Sequence, residues 1–166
     1  MIALEITSLK TLMGQLLAGD TFDSFLLEEA SINAGITYTI DGRINLSFYS
    51  EDELSEGICP FEFQSWKTTK QIAFEMIKGD HTPTAFHFVL QLNPTSAAKM
   101  LQKEAPDQDF SQVKALALII RYDGTQATIT TGTSYRTFIL SKDADLIWDK
   151  AVQTFLSAKG IPYNLL

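Results

Sequence analysis

The order of hydrophobic and polar positions along the chain predicts an alternation of strands and helices. Ile2, Leu4 and Ile6 alternate with Ala3, Glu5 and Thr7, the period of a half-buried strand. Leu9, Leu12, Met13, Leu16 and Leu17 then fall at helical spacing and form one apolar stripe. Ser8 or Thr7 is placed to cap that helix, and Gly19 to end it in the left-handed region. Phe25 to Ile32 reads as a strand whose Glu28 and Glu29 put at least one face or edge in water. Ile36, Tyr38 and Ile40 alternate before Asp41-Gly42, and Ile44, Leu46 and Phe48 alternate after it. That pattern predicts a hairpin, because Asp-Gly tolerates the positive φ of a type I′ turn.

The middle of the chain begins with an acidic stretch, Ser50 to Gly57, that reads as a solvated loop, followed by Phe61 and Phe63 at strand spacing. A second helix is expected from Trp66 to Lys78, with Ile72, Ala73, Met76 and Ile77 on its inner stripe and Gly79 closing it. Phe86, Phe88, Leu90 and Leu92 give the next strand a core face, and Asn93-Pro94 starts a short helix that Pro106 limits. Ala115 to Ile120 is apolar at every position, which predicts a central strand covered on both sides. Asp123-Gly124 turns it back into Ala127, Ile129 and Thr131, and Gly132 bends the chain into a further strand from Tyr135 to Leu140. The last helix, Asp143 to Ala158, is expected to bury Ile147, Trp148, Ala151, Phe155 and Ala158. Its Asp143 and Asp145 suit the positive end of the helix dipole and Lys159 the negative end. Together these elements predict an α+β fold, a mainly antiparallel sheet packed by helices.

One order of signals occurs twice. A helix, a Gly-Asp step, a strand bearing Phe and an Asp-Gly step recur as Gly19-Asp20, Phe25, Asp41-Gly42 and as Gly79-Asp80, Phe86, Asp123-Gly124. The Gly-Asp steps lie 60 residues apart and the Asp-Gly steps 82, so a duplication carries an insertion of about 22 residues. The helix starting at Pro94 is the natural insertion. Under that reading the halves are 1–58 and 59–166; under the other, Gly-Asp after a helix is ordinary turn chemistry. No linker or shift in composition separates two independent units, so residues 1–166 are expected to form one globular domain.

Composition narrows the partners more than the chemistry. With 166 residues, 45% of them hydrophobic, the chain is long enough to bury a core of its own. A net charge of -7 opposes nonspecific binding of nucleic acid, which needs clustered Lys and Arg. The single cysteine, Cys59, has no disulfide partner, and the acidic stretch before it does not activate a thiol. With no basic leader region and no apolar run of membrane-spanning length, the expected location is the cytoplasm and no membrane is engaged.

No signature of a known chemistry is present. There is no nucleophile elbow, no phosphate-binding loop and no dinucleotide fingerprint, so no cofactor is called for. The acidic stretch lacks the residue order of a calcium loop, and no metal site is assigned. His81 and His87 are the groups suited to proton transfer near neutral pH. Asp80 precedes His81, and His87 sits on the strand face opposite Phe86 and Phe88, so the three converge if the loop folds back. A metal there would need more ligands, such as Asp20 or Asp23, which no spacing selects. In the contrary reading Asp80 makes a turn bond, His81 is solvated and His87 packs on the second face. Tyr49, Trp66 and Tyr135 stand near element ends, where aromatic residues serve binding or rim packing. Arg43 and Arg121 flank the two Asp-Gly steps and mark an anion or partner contact if the repeat is real.

The opening Met1 to Thr7, the stretch Gln15 to Asp23 and Ile40-Asp41-Gly42-Arg43 resemble a family of small uncharacterised bacterial proteins. The resemblance implies no activity and supplies no catalytic residues. The twice-occurring strand-helix-strand-strand order is similar to the halves of a sliding DNA clamp domain, in architecture only. Two function classes stand. One is a non-catalytic binding or assembly module of the cytoplasm with a protein partner or a second copy of itself. The other is a small-molecule or metal-dependent enzyme using Asp80, His81 and His87.

Overall fold

A computed structural model describes all residues, 1–166. Seven strands form one antiparallel sheet: β1 (Ala3–Ile6), β2 (Phe25–Asn33), β3 (Thr37–Asp41), β4 (Ala85–Leu92), β5 (Val113–Tyr122), β6 (Ala127–Tyr135) and β7 (Tyr163–Leu165). Their order across the sheet is β3-β2-β4-β5-β6-β1-β7. The helices are α1 (Leu9–Met13), α2 (Glu51–Ser55), α3 (Trp66–Ile77), α4 (Pro94–Glu104) and α5 (Asp143–Ala158). The α+β class read from the alternating periods is the class observed.

The period of two sorts each strand into a core side and an open side. Leu4 and Ile6, Leu27 and Ile32, Phe86 and Phe88, Leu116 and Leu118, and Ala127 and Ile129 all point into one core of 27 buried residues. Leu12 and Leu16, Trp66 and Ala73, Ala97 and Leu101, and Trp148 and Leu156 enter the same core from α1 and its continuation, α3, α4 and α5. These helices therefore cover one face of the sheet. The opposite face carries the half-buried and exposed positions of the central strands.

Several elements form for the reasons their residues give. Ser8 caps α1 by accepting from the Thr11 N–H, Ser65 caps α3, and Asn93 caps α4 with Pro94 in the first turn. The β5–β6 hairpin turns at Asp123-Gly124, with Gly124 at φ 97°. Ala127, Ile129 and Thr131 face inward from β6.

Other expectations are corrected. Asp41-Gly42 is not a hairpin: β3 pairs with β2 through Ala34 to Ile36, and Leu46–Phe48 is a 3-10 turn whose side chains lie exposed. The stretch 60–65 is no strand; Phe63 makes one bridge, to Arg43. The acidic stretch folds as α2, held by a capping box between Ser50 and Glu53. Gly19 is extended rather than left-handed, because α1 continues as a π-helix over Gly14–Ala18 and the Gly19 N–H donates to the Gly14 carbonyl. Ile72 is 49% exposed, since α3 turns Trp66, Thr69 and Ala73 inward instead. On α5 the buried stripe is Ala144, Trp148, Val152 and Leu156, one position on from Ile147, Ala151 and Phe155, and Ala158 is exposed. β6 runs on through Gly132 to Tyr135, and the strand expected to Leu140 is absent, leaving Phe138 and Leu140 exposed. β5 is central, yet only one of its apolar faces is covered; Ala117 and Ile119 lie on the open side.

β4, β5 and β6 lie between β2 and β1, and α4 places Ala97 and Leu101 in the common core. No helix is long and apolar enough to cross a membrane.

Candidate functional site

The open face of the sheet brings two of the candidate residues, His87 and Arg121, side by side. Register lines up Thr39, Ser31, His87, Arg121, Thr128 and Glu5 in one row across six strands. The next row holds Asp41, Glu29, Val89, Ile119, Thr130 and Ala3. His87 and Arg121, chosen on separate grounds in the sequence, are thus direct cross-strand neighbours. His87 is half-buried, with Nδ1 3.8 Å from the Glu29 carboxylate, an ion pair only when the imidazole is protonated. Arg121 is exposed and makes no ion pair. One strand beyond Thr128, Glu5 puts a carboxylate in the same row. Val89 and Ile119 form the apolar centre, and Ala3, Ala117 and Gly132 keep the surface around them low.

A bulge shapes one end of this face. The register shifts between Leu27 and Glu29, so Glu28 is the extra residue and accepts from Gln91 Nε2 at 2.5 Å. Beside the bulge, residues 42–44 and 62–65 fold over β2: the Leu27 N–H donates to the Gln64 carbonyl and the Gln64 N–H to the Gly42 carbonyl. This cover buries Leu26 outside the main core. A cleft of about 410 Å³ remains next to it, edged by Glu28, Glu29, Asp41 and Arg43.

The other candidates are placed elsewhere. Arg43 is paired with Glu62 and lies over the Phe63 ring, 5.1 Å from its centroid, so it braces the cover. Tyr49 is half-buried and packs edge-on against the exposed Phe48. Trp66 leaves the set of surface candidates: it is fully buried, donates from Nε1 to the Leu16 carbonyl at 2.8 Å and meets Phe88 edge-on. Tyr135 donates its hydroxyl to Asp145 at 2.8 Å. Burial first, and then that bond to a carboxylate, push its pKa up to about 12.

Asp80 and His81 are exposed in the loop before β4, and neither side chain makes a hydrogen bond or ion pair. His87 is engaged across the strands instead, so the convergence of Asp80, His81 and His87 that acid-base chemistry requires is not made. No three His, Cys, Asp or Glu side chains come together in ligand geometry. Asp23, weighed as a metal ligand, pairs with Lys70 at 2.7 Å, and Lys70 also donates to the Gly19 carbonyl. The sequence reading missed Glu29 as the partner of His87. Strict alternation from Phe25 and Leu27 turns Glu29 inward; only the bulge at Glu28 moves it onto the open face, and no local pattern announces a bulge.

A family model described as a family of unknown function (DUF5721) matches residues 15–164, and the chain belongs to that family. No curated protein and no solved structure matches it.

Proposed function

We propose that the protein is a non-catalytic assembly module of the cytoplasm whose working surface is the open face of the sheet and whose partner is a second copy of the chain. The observation that carries this reading is the row in which Arg121, Thr128 and Glu5 follow one another on β5, β6 and β1. A two-fold axis lying in the interface along β6 sets Arg121 of one copy against Glu5 of the other, and the reverse pair forms by symmetry. The same operation stacks Thr128 on Thr128 and Thr130 on Thr130 at the axis, where short side chains let two sheets approach to about 10 Å. Ile119 then covers Ala3, a large side chain over a small one.

The overlap spans β4 to β7, about 24 Å by about 17 Å, or roughly 800 Å² buried in total, which places the contact among weak, reversible associations. The lone cysteine supports a reducing compartment. An enzyme built on Asp80, His81 and His87 is less well supported, because those side chains do not converge.

Sedimentation velocity over a concentration series tests the reading. A reversible monomer–dimer equilibrium is expected, weakened at least about tenfold by Arg121→Glu or by Glu5→Arg alone, because each sets like charges face to face. The double variant recovers association by exchanging the partners. A chain that stays monomeric up to millimolar concentration, or a double variant no better than either single one, removes the proposal.

A further inference from the structure

A second feature lies on the opposite side of the molecule's chemistry from the acidic whole. A cavity of about 370 Å³ opens between α4, the end of β4 and the start of β5. That volume lies in the range of small-molecule sites. Its floor is apolar, made by Leu92, Ala97, Leu101, Phe110 and Val113. Ala97 and Leu101 are held rigidly because they also belong to the core.

The rim is cationic. Lys114 and Arg136 both line the cavity, both are exposed, and neither makes an ion pair or a side-chain hydrogen bond. Two local features bring them together. The register of β5 against β6 shifts between Val113 and Ala115, so Lys114 is the extra residue of a bulge, the device that re-aims a side chain out of the ladder. Arg136 directly follows β6, and its backbone N–H donates to the Gln112 carbonyl at 2.8 Å, which fixes it beside the same end of β5.

One carboxylate lines the cavity, that of Asp109, and it is already engaged. It accepts from the Ser111 N–H at 2.8 Å and from the Ser111 hydroxyl at 3.1 Å, bonds that hold its pKa below the ordinary carboxylate value. Asp109 therefore shapes the turn before β5 and leaves the two cations without a contact partner. In a chain of net charge -7, two unpaired cations over an apolar floor form a local exception that suits an anion with an apolar body.

We infer that this cavity binds a small organic carboxylate, its apolar tail laid on Leu101, Phe110 and Val113 and its carboxylate held by Lys114 and Arg136. Arg136 offers the planar fork that matches a carboxylate in two parallel bonds, and Lys114 adds a mobile point charge. This site is separate from the open face and does not depend on the reading given for that face.

Octanoate and its neutral isostere octanamide, titrated into the full-length chain and followed by backbone amide shifts, test the inference. Octanoate is expected to give saturable shifts centred on Leu101, Phe110 and Val113, with octanamide at least about tenfold weaker because it lacks the charge-assisted bonds. The double variant Lys114→Gln with Arg136→Gln, both at exposed positions that leave the core intact, should bring octanoate down to the octanamide level. Raising salt should weaken octanoate and leave octanamide unchanged. Equal affinity for the two probes, shifts centred elsewhere, no saturable shift, or a double variant that binds octanoate unchanged would each overturn it.

Discussion

At Asp123-Gly124 the chain reverses between two paired strands, Gly124 takes φ 97°, and the Asp123 carboxylate accepts from the backbone N–H groups of Thr125 and Gln126. At Asp41-Gly42 the chain does not reverse. Gly42 has no positive φ; it passes over the bulge in β2, its N–H donating to the Glu28 carbonyl. A Cβ built there would lie 1.8 Å from the Leu27 carbonyl oxygen. The same dipeptide thus serves a turn in one place and a backbone crossing in the other. The first use is set by residues within three positions, the second by Leu27 and Gln64, which are distant in sequence. Glycine is required for φ, and for a close backbone approach, at one step, and for space alone at the other.

Substitution at the crossing gives the larger effect. Gly42→Ala puts a methyl group into backbone that cannot yield as a side chain would, and a loss of at least about 3 kcal/mol in unfolding free energy is expected. Urea denaturation reads it. Retained stability would show that the cover formed by residues 42–44 and 62–65 is loosely held, and the contrast between the two steps would collapse.

Gly124→Ala is expected to cost less, about 1–2 kcal/mol, the strain of a side chain in the left-handed region. An added Cβ would also meet the Thr84 carbonyl oxygen at 2.9 Å, a smaller overlap than the 1.8 Å at Gly42. Comparing the two variants by the same denaturant series sharpens the distinction. If Gly124→Ala proves the more damaging, the turn and not the crossing is the tighter constraint.

This contrast also explains what was legible in the sequence. β4, with Phe86, Phe88 and Leu90 inward, and α4, started by Asn93-Pro94, were readable because period and cap are local properties. Ile44 to Phe48 alternate as a strand would, yet beyond Ile44, whose N–H donates to the Glu62 carbonyl, no ladder forms, and Leu46 and Phe48 remain exposed. Ala115 to Ile120 reads as doubly covered because small and branched apolar residues suit either face, and only the placement of α1, α3, α4 and α5 on one side leaves Ile119 open. In the candidate site, His87 and Arg121 were visible one by one. Their pairing was not, since it depends on the register of β4 against β5. Lys114 and Arg136 carried no local signal at all: a bulge and a strand end place them, and both are decided by the partner strand.

The smallest effect concerns Asp123, whose bonds mark the local half of the comparison. The backbone N–H of Gln126, then the N–H and hydroxyl of Thr125, stabilise the carboxylate and lower its pKa from 3.8 to about 2. A folded-state pKa below the unfolded one means the stabilisation is fully present above 3.8 and is lost as pH falls through about 2. Asp41 accepts from one N–H, that of Arg43, and stands at no such turn. Asp123→Ala should therefore lower stability modestly at neutral pH, with the gap from the unsubstituted chain closing between about pH 4 and pH 2. Thermal unfolding of Asp123→Ala and of the unsubstituted chain across that range is the measurement. A gap at Asp123 that stays constant down to pH 2 would mean the carboxylate's charge has no part in the turn, leaving Gly124 alone to distinguish the two steps.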